Sequence, residues 1–121
     1  MEKKITIVIG ASPNPARYSN LAVKRLKLNG HEVIPIGIKK GDIEGTSIVI
    51  GTPEVKNADT VTLYLIPQRQ REYYNYILSL KPKRIIFNPG AENPELEKLA
   101  EEKGIETLEA CTLVLLSTTQ Y

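Results

Sequence analysis

The sequence predicts a three-layer α/β fold of the Rossmann type, in which helices cover both faces of a mostly parallel sheet of five to six strands. Short runs of β-branched and aliphatic residues, such as Ile5–Ile9, are typical of strands buried on both faces. These runs alternate with stretches of helical periodicity, and Gly, Pro or Asn separates the two. The 121 residues show no internal repeat or linker, which predicts one domain over residues 1–121.

The first half of the chain contains three predicted strands and one predicted helix. The strands are Ile5–Ile9, Glu32–Ile36 and the weaker Ser47–Ile50. The helix is expected to begin after Ser19 as its N-cap and to stop at Gly30. Because Pro35 cannot donate to a ladder, we expect it near the end of its strand, where pairing thins.

The second half repeats the alternation. The predicted strands are Thr60–Ile66, Arg84–Phe87 and Ile105–Leu108. Apolar spacing from Tyr73 onward predicts a helix that ends before Pro82. Asn93 as N-cap and Pro94 at the first position predict the next helix. The apolar segment Cys111–Leu116 fits either a final helix or a buried tail.

Composition excludes several function classes. The 16 Lys and Arg against 14 Asp and Glu leave a net charge of +2, which argues against a nucleic-acid partner. One Cys and one His exclude a disulfide framework and a Cys/His zinc site, and no metal site is expected. No apolar run spans a bilayer and no export signal is visible, so we expect a cytoplasmic protein without a membrane partner.

In folds of this class, ligands bind beyond the carboxyl ends of the strands, near the point where strand order reverses. This rule predicts a site built from the loops after the first, second, fourth and fifth strands. These loops are Gly10–Ser19, Gly37–Gly41, Pro67–Gln70 and Asn88–Asn93. His31 precedes the second strand, so we expect it at the opposite edge in a structural role.

The first loop occupies the position of a dinucleotide-binding glycine loop but lacks the G-x-G-x-x-G spacing. Gly10 suits a tight turn, and Ala11 and Ser12 allow a ligand to approach the backbone closely. The helix N-terminus at Ser19 is a candidate anion site, and Arg17 offers a guanidinium suited to phosphate. The alternative is a rigid connection with a surface arginine.

The second loop discriminates between cofactors. NAD-binding folds usually have an acidic residue after the second strand, but this chain has Lys39 and Lys40 there and no acid before Asp42. Two lysines suit an extra phosphate near the ribose, which both NADP and coenzyme A carry. The alternative is a solvated basic turn.

The other two loops are less charged. The exit Tyr64–Pro67 is apolar and suits an adenine or a pantetheine chain, or is simply a strand end. The Asn88–Gly90 turn is expected to direct amides into the cleft. Glu92 is the one carboxylate expected to face the cleft, and a solvated role is its alternative.

The segments Gly10–Pro15, Val33–Ile36, Tyr64–Pro67 and Asn88–Gly90 resemble the small stand-alone CoA-binding proteins, which are related to the CoA-binding domain of the succinyl-CoA synthetase α subunit. The resemblance runs from Lys4 to Cys111 and implies a Rossmann-type fold that holds CoA across its carboxyl edge. The residues after Gly37 depart from the family's Asn-Pro turn. The cofactor-binding residues that it implies are Gly10, Ala11, Ser12, Pro13, Arg17, Tyr18, Ser19, Gly37, Lys39, Lys40, Leu65, Ile66, Pro67, Asn88, Pro89 and Gly90.

The expected function is therefore binding of CoA or an acyl-CoA without catalysis, because no acid, base and nucleophile converge in the sequence. One alternative is an NADP-dependent oxidoreductase with Tyr64 or Glu92 as proton donor. Another is a non-catalytic subunit of a multi-chain CoA enzyme that docks through the apolar C-terminal segment. A homo-oligomer also remains open, and Cys111 is expected to be a buried, inert thiol.

Overall fold

The computed structural model describes residues 2–121. Its strands are β1 (Ile5–Ile9), β2 (Glu32–Gly37), β3 (Asp42–Ile43), β4 (Thr46–Ser47), β5 (Val49–Ile50), β6 (Thr60–Leu63), β7 (Arg84–Phe87) and β8 (Glu106–Glu109). Its helices are α1 (Tyr18–Leu28), α2 (Pro67–Gln70), α3 (Tyr74–Leu80), α4 (Pro94–Glu102) and α5 (Thr112–Ser117), and a 3₁₀ turn, Arg71–Tyr73, joins α2 to α3.

Six strands form one parallel sheet in the order β5-β2-β1-β6-β7-β8. From β1 the chain first builds outward through β2 and β5, then returns to the other side of β1 and continues through β6, β7 and β8. The strand order therefore reverses between β1 and β6, where Ile9 is in register with Leu63. This topology confirms the predicted Rossmann-like fold and positions a crevice between two central strands.

Hydrophobic cores lie on both faces of the sheet. Alternating residues of β1 separate them, because successive side chains of a strand point to opposite faces. One face packs against α3 and α4, and the other packs against α1 and α5. The contributing residues include Ile7, Ile9, Ile77, Leu96 and Ala100 on the first face, and Val8, Val23, Leu26 and Leu116 on the second.

Local differences from the sequence prediction have simple causes. Helix α1 begins at Tyr18 rather than after Ser19, because Arg17 supplies the extended N-cap backbone and Ser19 lies within the first turn. The predicted third strand is interrupted at Ile48, which is buried between the short strands β4 and β5. Strand β5 pairs with β2 only at Ile36 and Gly37, so Pro35 lies where one side of β2 has no neighbour.

In the second half, β6 ends at Leu63 and the chain turns into α2 with Pro67 in the first turn, so the helical region begins earlier than predicted. Strand β8 lies one residue later than predicted, and the ambiguous C-terminal segment forms a helix. Asn93 caps α4 as predicted, since its side chain accepts the Leu96 amide at 3.2 Å. Within residues 2–121, no helix combines the length and apolar character needed to cross a membrane.

His31 lies at the amino-terminal edge of the sheet, as predicted. It is buried, and its Nδ1 accepts the Lys4 amide at 2.9 Å. Its ring packs against Tyr121, with 4.9 Å between the ring centroids. Arg84 lies over the same tyrosine ring and donates to the Tyr121 backbone oxygen at 2.8 Å. These contacts join Tyr121 to the edge of the sheet opposite the β1–β6 crevice.

Candidate functional site

A cleft of about 870 Å³ opens at the carboxyl edge of the sheet, over the point where strand order reverses. Its volume lies within the range of about 300–1,000 Å³ that is usual for small-molecule sites. The loops after β1, β2, β6 and β7 all contribute to its walls, as the sequence predicted. The lining residues are Gly10, Ala11, Ser12, Pro13, Asn14, Ala16, Arg17, Tyr18, Ser19, Gly37, Ile38, Lys39, Tyr64, Leu65, Ile66, Arg69, Tyr73, Pro89, Gly90 and Ala91.

Two glycines let the strand ends come together at the floor of this cleft. Gly10 has a φ of 99°, and a Cβ there would lie 2.9 Å from the Tyr64 carbonyl oxygen. A Cβ on Gly37 would lie 2.3 Å from the carbonyl oxygen of Ala11. The amides of Gly10 and Ala11 both donate to the Ile36 carbonyl, each at 2.9 Å. The floor is therefore fixed by close backbone packing before any ligand binds.

The N-terminus of α1 faces this cleft with unpaired amides. Within residues 2–121, the backbone N–H groups of Ser12, Tyr18 and Ser19 donate no hydrogen bond. The N-cap residue Arg17 makes no side-chain cap, and the first turn carries no acidic residue. Helix α4, in contrast, has both a capping side chain and acidic residues in its first turn. Free amides and an uncompensated helix dipole make this end of α1 suited to an anion.

Asn20 fixes the loop that leads into this helix. Its side chain is buried, and Nδ2 donates to the Ser12 carbonyl at 2.9 Å. The Ser12 hydroxyl in turn accepts the Asn14 amide at 3.1 Å, and Asn14 Oδ1 accepts the Ala16 amide at 2.9 Å. These bonds hold the chain in a compact turn, with the Ser12 amide left for a ligand.

The charge lining the cleft is entirely positive. Arg17, Lys39 and Arg69 contribute side chains, and the lining includes no Asp or Glu. None of the three forms an ion pair with a carboxylate of residues 2–121. In a protein with a net charge of only +2, this local excess favours an anionic ligand.

The wall beyond β6 is held by Gln70, whose side chain is fully buried. Its Nε2 donates to the carbonyls of Leu65 at 2.8 Å and Ala91 at 2.7 Å, and its Oε1 accepts Asn93 Nδ2 at 2.9 Å. One side chain thus joins the loop after β6 to the loop after β7. Both loops line the cleft, so their separation is set by this amide.

Two tyrosines line the same wall. Burial raises the pKa of Tyr64, and its buried hydroxyl has no hydrogen-bond partner within residues 2–121. Burial and the nearby Glu72 carboxylate raise the pKa of Tyr73. Both side chains therefore stay neutral near pH 7, and neither is a base there.

Most of the predicted site residues lie together in this cleft, and three do not line it: Lys40, Pro67 and Asn88. Lys40 is an exposed residue beyond the cleft, and Pro67 begins α2 outside the lining. Glu92, expected to face the cleft, is absent from the lining and accepts the Gly90 amide at 2.9 Å. Contact with a ligand stays a prediction for the whole set.

Sequence reasoning did not select several lining residues. They are Asn14, Ala16, Ile38, Tyr64, Arg69, Tyr73 and Ala91. The sequence indicates Tyr64 only as a wall residue or proton donor, and Tyr73 only as the start of a predicted helix. The one available signal for Arg69 was its position in the loop after the fourth strand.

The sequence model for the CoA binding domain matches residues 4–117, nearly the whole chain. A crystal structure of an uncharacterized protein has 53% identity and a TM-score of 0.97, with both chains covered completely. A conserved hypothetical protein from Pyrococcus furiosus has 29% identity and a TM-score of 0.77, over 93% of this chain and 98% of that one. A hypothetical protein from Pyrococcus horikoshii has 27% identity and a TM-score of 0.83, over 96% and 82%.

No protein of curated function matches the sequence. The family assignment therefore depends on the domain match, and the structural relatives agree with it in fold over most of their length. The resemblance found in the glycine loop and the strand exits is confirmed. The chain belongs to the CoA-binding domain family.

Proposed function

We propose that this protein binds coenzyme A or an acyl-CoA in the carboxyl-edge cleft without transforming it. The observation that carries the proposal is the unpaired N-terminus of α1, with Arg17 and Lys39 beside it in a cleft lined by no carboxylate. A ligand with several phosphates complements this arrangement, since helix amides and cations are the usual partners of phosphate.

Each part of CoA has a counterpart in the cleft. The proposal assigns the diphosphate to the amides of Ser12, Tyr18 and Ser19, with Arg17 beside them. In Rossmann folds the adenosine ribose lies near the end of the second strand, where Lys39 is available for the 3′-phosphate. The pantetheine arm is assigned to the opposite direction, across the apolar wall after β6.

The same residues support binding rather than catalysis. Among residues 2–121, no group of three His, Cys, Asp or Glu side chains could hold a metal ion. No His, Cys, Asp or Glu lines the cleft, and Tyr64 and Tyr73 are neutral near pH 7. The cleft therefore offers phosphate contacts and an apolar wall but no evident general base or nucleophile.

Calorimetric titration with CoA, 3′-dephospho-CoA, NADPH and NAD tests this proposal. We expect CoA to bind and 3′-dephospho-CoA to bind about tenfold more weakly or worse, because one charge-assisted contact is lost. Binding of NADPH without CoA would support the oxidoreductase alternative and contradict the proposal.

Lys39 and Lys40 supply a matched pair of variants for the same titration, since they are adjacent and both exposed but only Lys39 lines the cleft. Lys39→Gln should weaken CoA about tenfold and leave 3′-dephospho-CoA nearly unchanged. Lys40→Gln should affect both ligands equally and slightly. Equal losses in the two variants would mean that only general positive charge contributes.

A further inference from the structure

The part of the cleft beyond β6 has its own set of polar groups. We call it the distal end, and its residues are Ile66, Arg69, Tyr73, Pro89, Gly90 and Ala91. It lies across the β1–β6 crevice from Lys39, which follows β2 at the other side. Its two polar side chains, Arg69 and Tyr73, come from consecutive turns of the segment that follows β6.

The backbone that carries these two residues is fixed. Gln70 lies next to Arg69 in α2, is fully buried, and donates to the carbonyls of Leu65 and Ala91. Asn93 donates to Gln70 and also to the Tyr74 hydroxyl at 2.8 Å, which secures the start of α3. The distal end is therefore a preorganised wall, and Arg69 projects from a held turn.

Neither Arg69 nor the Tyr73 hydroxyl has an ion-pair or hydrogen-bond partner among the described residues. The Tyr73 side chain is only 7% exposed, yet its hydroxyl forms no hydrogen bond within residues 2–121. Arg69 forms no ion pair with any carboxylate of that part of the chain. The buried side-chain polar atoms without a partner in residues 2–121 are Asn20 Oδ1 and the Tyr64 hydroxyl, so the unpaired Tyr73 hydroxyl is open to solvent at the cleft wall. A ligand can replace its water as the hydrogen-bond acceptor.

Coenzyme A alone leaves Arg69 without a counterpart. Its negative charges are the diphosphate and the 3′-phosphate, which are assigned above to the N-terminus of α1 and to Lys39. The pantetheine arm, which would extend toward the distal end, is uncharged. A third cation on this path is complementary to an anion carried beyond the thioester.

We propose that the distal end binds a free carboxylate on the acyl group, so that the preferred ligand is the CoA thioester of a dicarboxylic acid. This inference rests on the proposed function, because it requires CoA in the cleft. The Arg69 guanidinium pairs with the carboxylate, and the Tyr73 hydroxyl donates to the same group or to the thioester carbonyl. No bond is formed or broken.

Titration with acyl-CoAs of matched chain length tests whether a terminal carboxylate on the acyl group increases affinity. Malonyl-CoA is compared with propionyl-CoA, and glutaryl-CoA with valeryl-CoA, with CoA itself as the reference. We expect at least one of the two carboxylated ligands to bind about tenfold more tightly than its neutral match. The preference should weaken as salt is raised, since Arg69 is exposed.

Three variants assign the preference to residues. Arg69→Gln should abolish this preference, weakening the carboxylated thioesters about tenfold more than it weakens CoA, because only the carboxylated acyl groups place an anion beside the guanidinium. Tyr73→Phe should reduce it without lowering the melting temperature, since the lost hydroxyl has no partner in the protein. Arg71→Gln is the matched control, because Arg71 is an exposed arginine of the same segment outside the cleft.

The outcomes separate this inference from the proposed function. Binding of CoA with equal affinity for carboxylated and neutral thioesters overturns the inference and leaves CoA binding intact. Equal weakening of every ligand by Arg69→Gln also overturns it, because Arg69 would then contact the phosphates. Failure of CoA and all four thioesters to bind the wild-type protein overturns the proposed function itself.

Discussion

Asn88 is a buried amide that joins three elements. Its Nδ2 donates to the Thr62 hydroxyl at 2.6 Å and to the Leu63 carbonyl at 2.8 Å, and its Oδ1 accepts the Thr112 amide at 2.9 Å. The side-chain amide of Asn88 thus connects β6, the end of β7 and the start of α5. Asn88 therefore sets the spacing of the elements behind the cleft, and its contact with a ligand stays a prediction.

Asn88→Ala should lower the free energy of unfolding by about 3 kcal/mol, because it leaves buried donors and acceptors unpaired. Urea denaturation measures this loss. Asn75→Ala, at an exposed position on α3, is the control and should change the free energy of unfolding by less than about 0.5 kcal/mol. Unchanged stability in Asn88→Ala together with weaker CoA binding would mean that Asn88 contacts the ligand and does not stabilise the fold.

Individual residues also show which parts of the candidate site could be predicted from the sequence. Gly10 and Arg17 were predictable, because a strand-to-helix loop needs a turn residue and phosphate needs a cation. Lys39 could not be distinguished from Lys40, since only the direction of the chain after β2 decides which one lines the cleft. The position of Arg69 in the cleft wall was missed because it depends on the buried Gln70 beside it.

At the scale of elements, the junction of α4 with β8 brings several carboxylates together. Burial, a hydrogen bond that the protonated Glu97 carboxyl donates to the Glu109 carboxylate, and the negative charges of Glu109, Glu101 and Glu92 raise the pKa of Glu97 to about 6. The folded protein therefore holds a proton there that the unfolded chain, with an ordinary carboxyl pKa, releases at lower pH. The contribution of Glu97 to the free energy of unfolding therefore falls as the pH rises from the ordinary carboxyl pKa through about 6.

Glu97→Gln should remove this loss, because the amide keeps the protonated shape at every pH. We expect the variant to be more stable than the wild type near pH 7.5 and equally stable near pH 4, as approximate test conditions, by urea denaturation. Glu102→Gln, an exposed change in the last turn of α4, should leave the pH profile nearly unchanged. A constant difference between Glu97→Gln and the wild type at both values would contradict the account.

The bounds of some strands and helices could be predicted from local sequence more closely than those of others. Strands β1 and β7 and the cap of α4 were predicted closely, because buried β-branched runs and the Asn-Pro pair are strong local signals. The start of α1 was predicted two residues late, since Arg17 acts as N-cap without a side-chain hydrogen bond. That same missing cap, a poor local signal, is what leaves the helix N-terminus free for an anion.

At the scale of the whole molecule, the order of the strands creates the cleft. Because the chain leaves β1 on one side and returns to β6 on the other, their loops diverge and open a crevice. The sequence predicted this edge through a topological rule and not through any single motif. The neutral composition concealed the local excess of positive charge, which arises only when loops distant in the chain meet at one edge.

A second groove, of about 680 Å³, provides an internal comparison for the site. It lies beside the C-terminal ends of α3 and α4, away from the carboxyl ends of the strands. Lys81 and Lys103 give it positive charge, but both follow helix C-termini, whose dipoles disfavour an anion. Positive charge alone therefore does not select between the grooves, whereas helix polarity selects the cleft at α1.

A crystal structure of the protein with CoA would show where each part of the ligand binds and so check the proposed binding mode. We expect the diphosphate at the amides of Ser12, Tyr18 and Ser19, the 3′-phosphate beside Lys39, and the pantetheine arm crossing toward Arg69. CoA bound in the groove beside Lys81 and Lys103, or in the cleft with its adenosine at the Arg69 end, would contradict it.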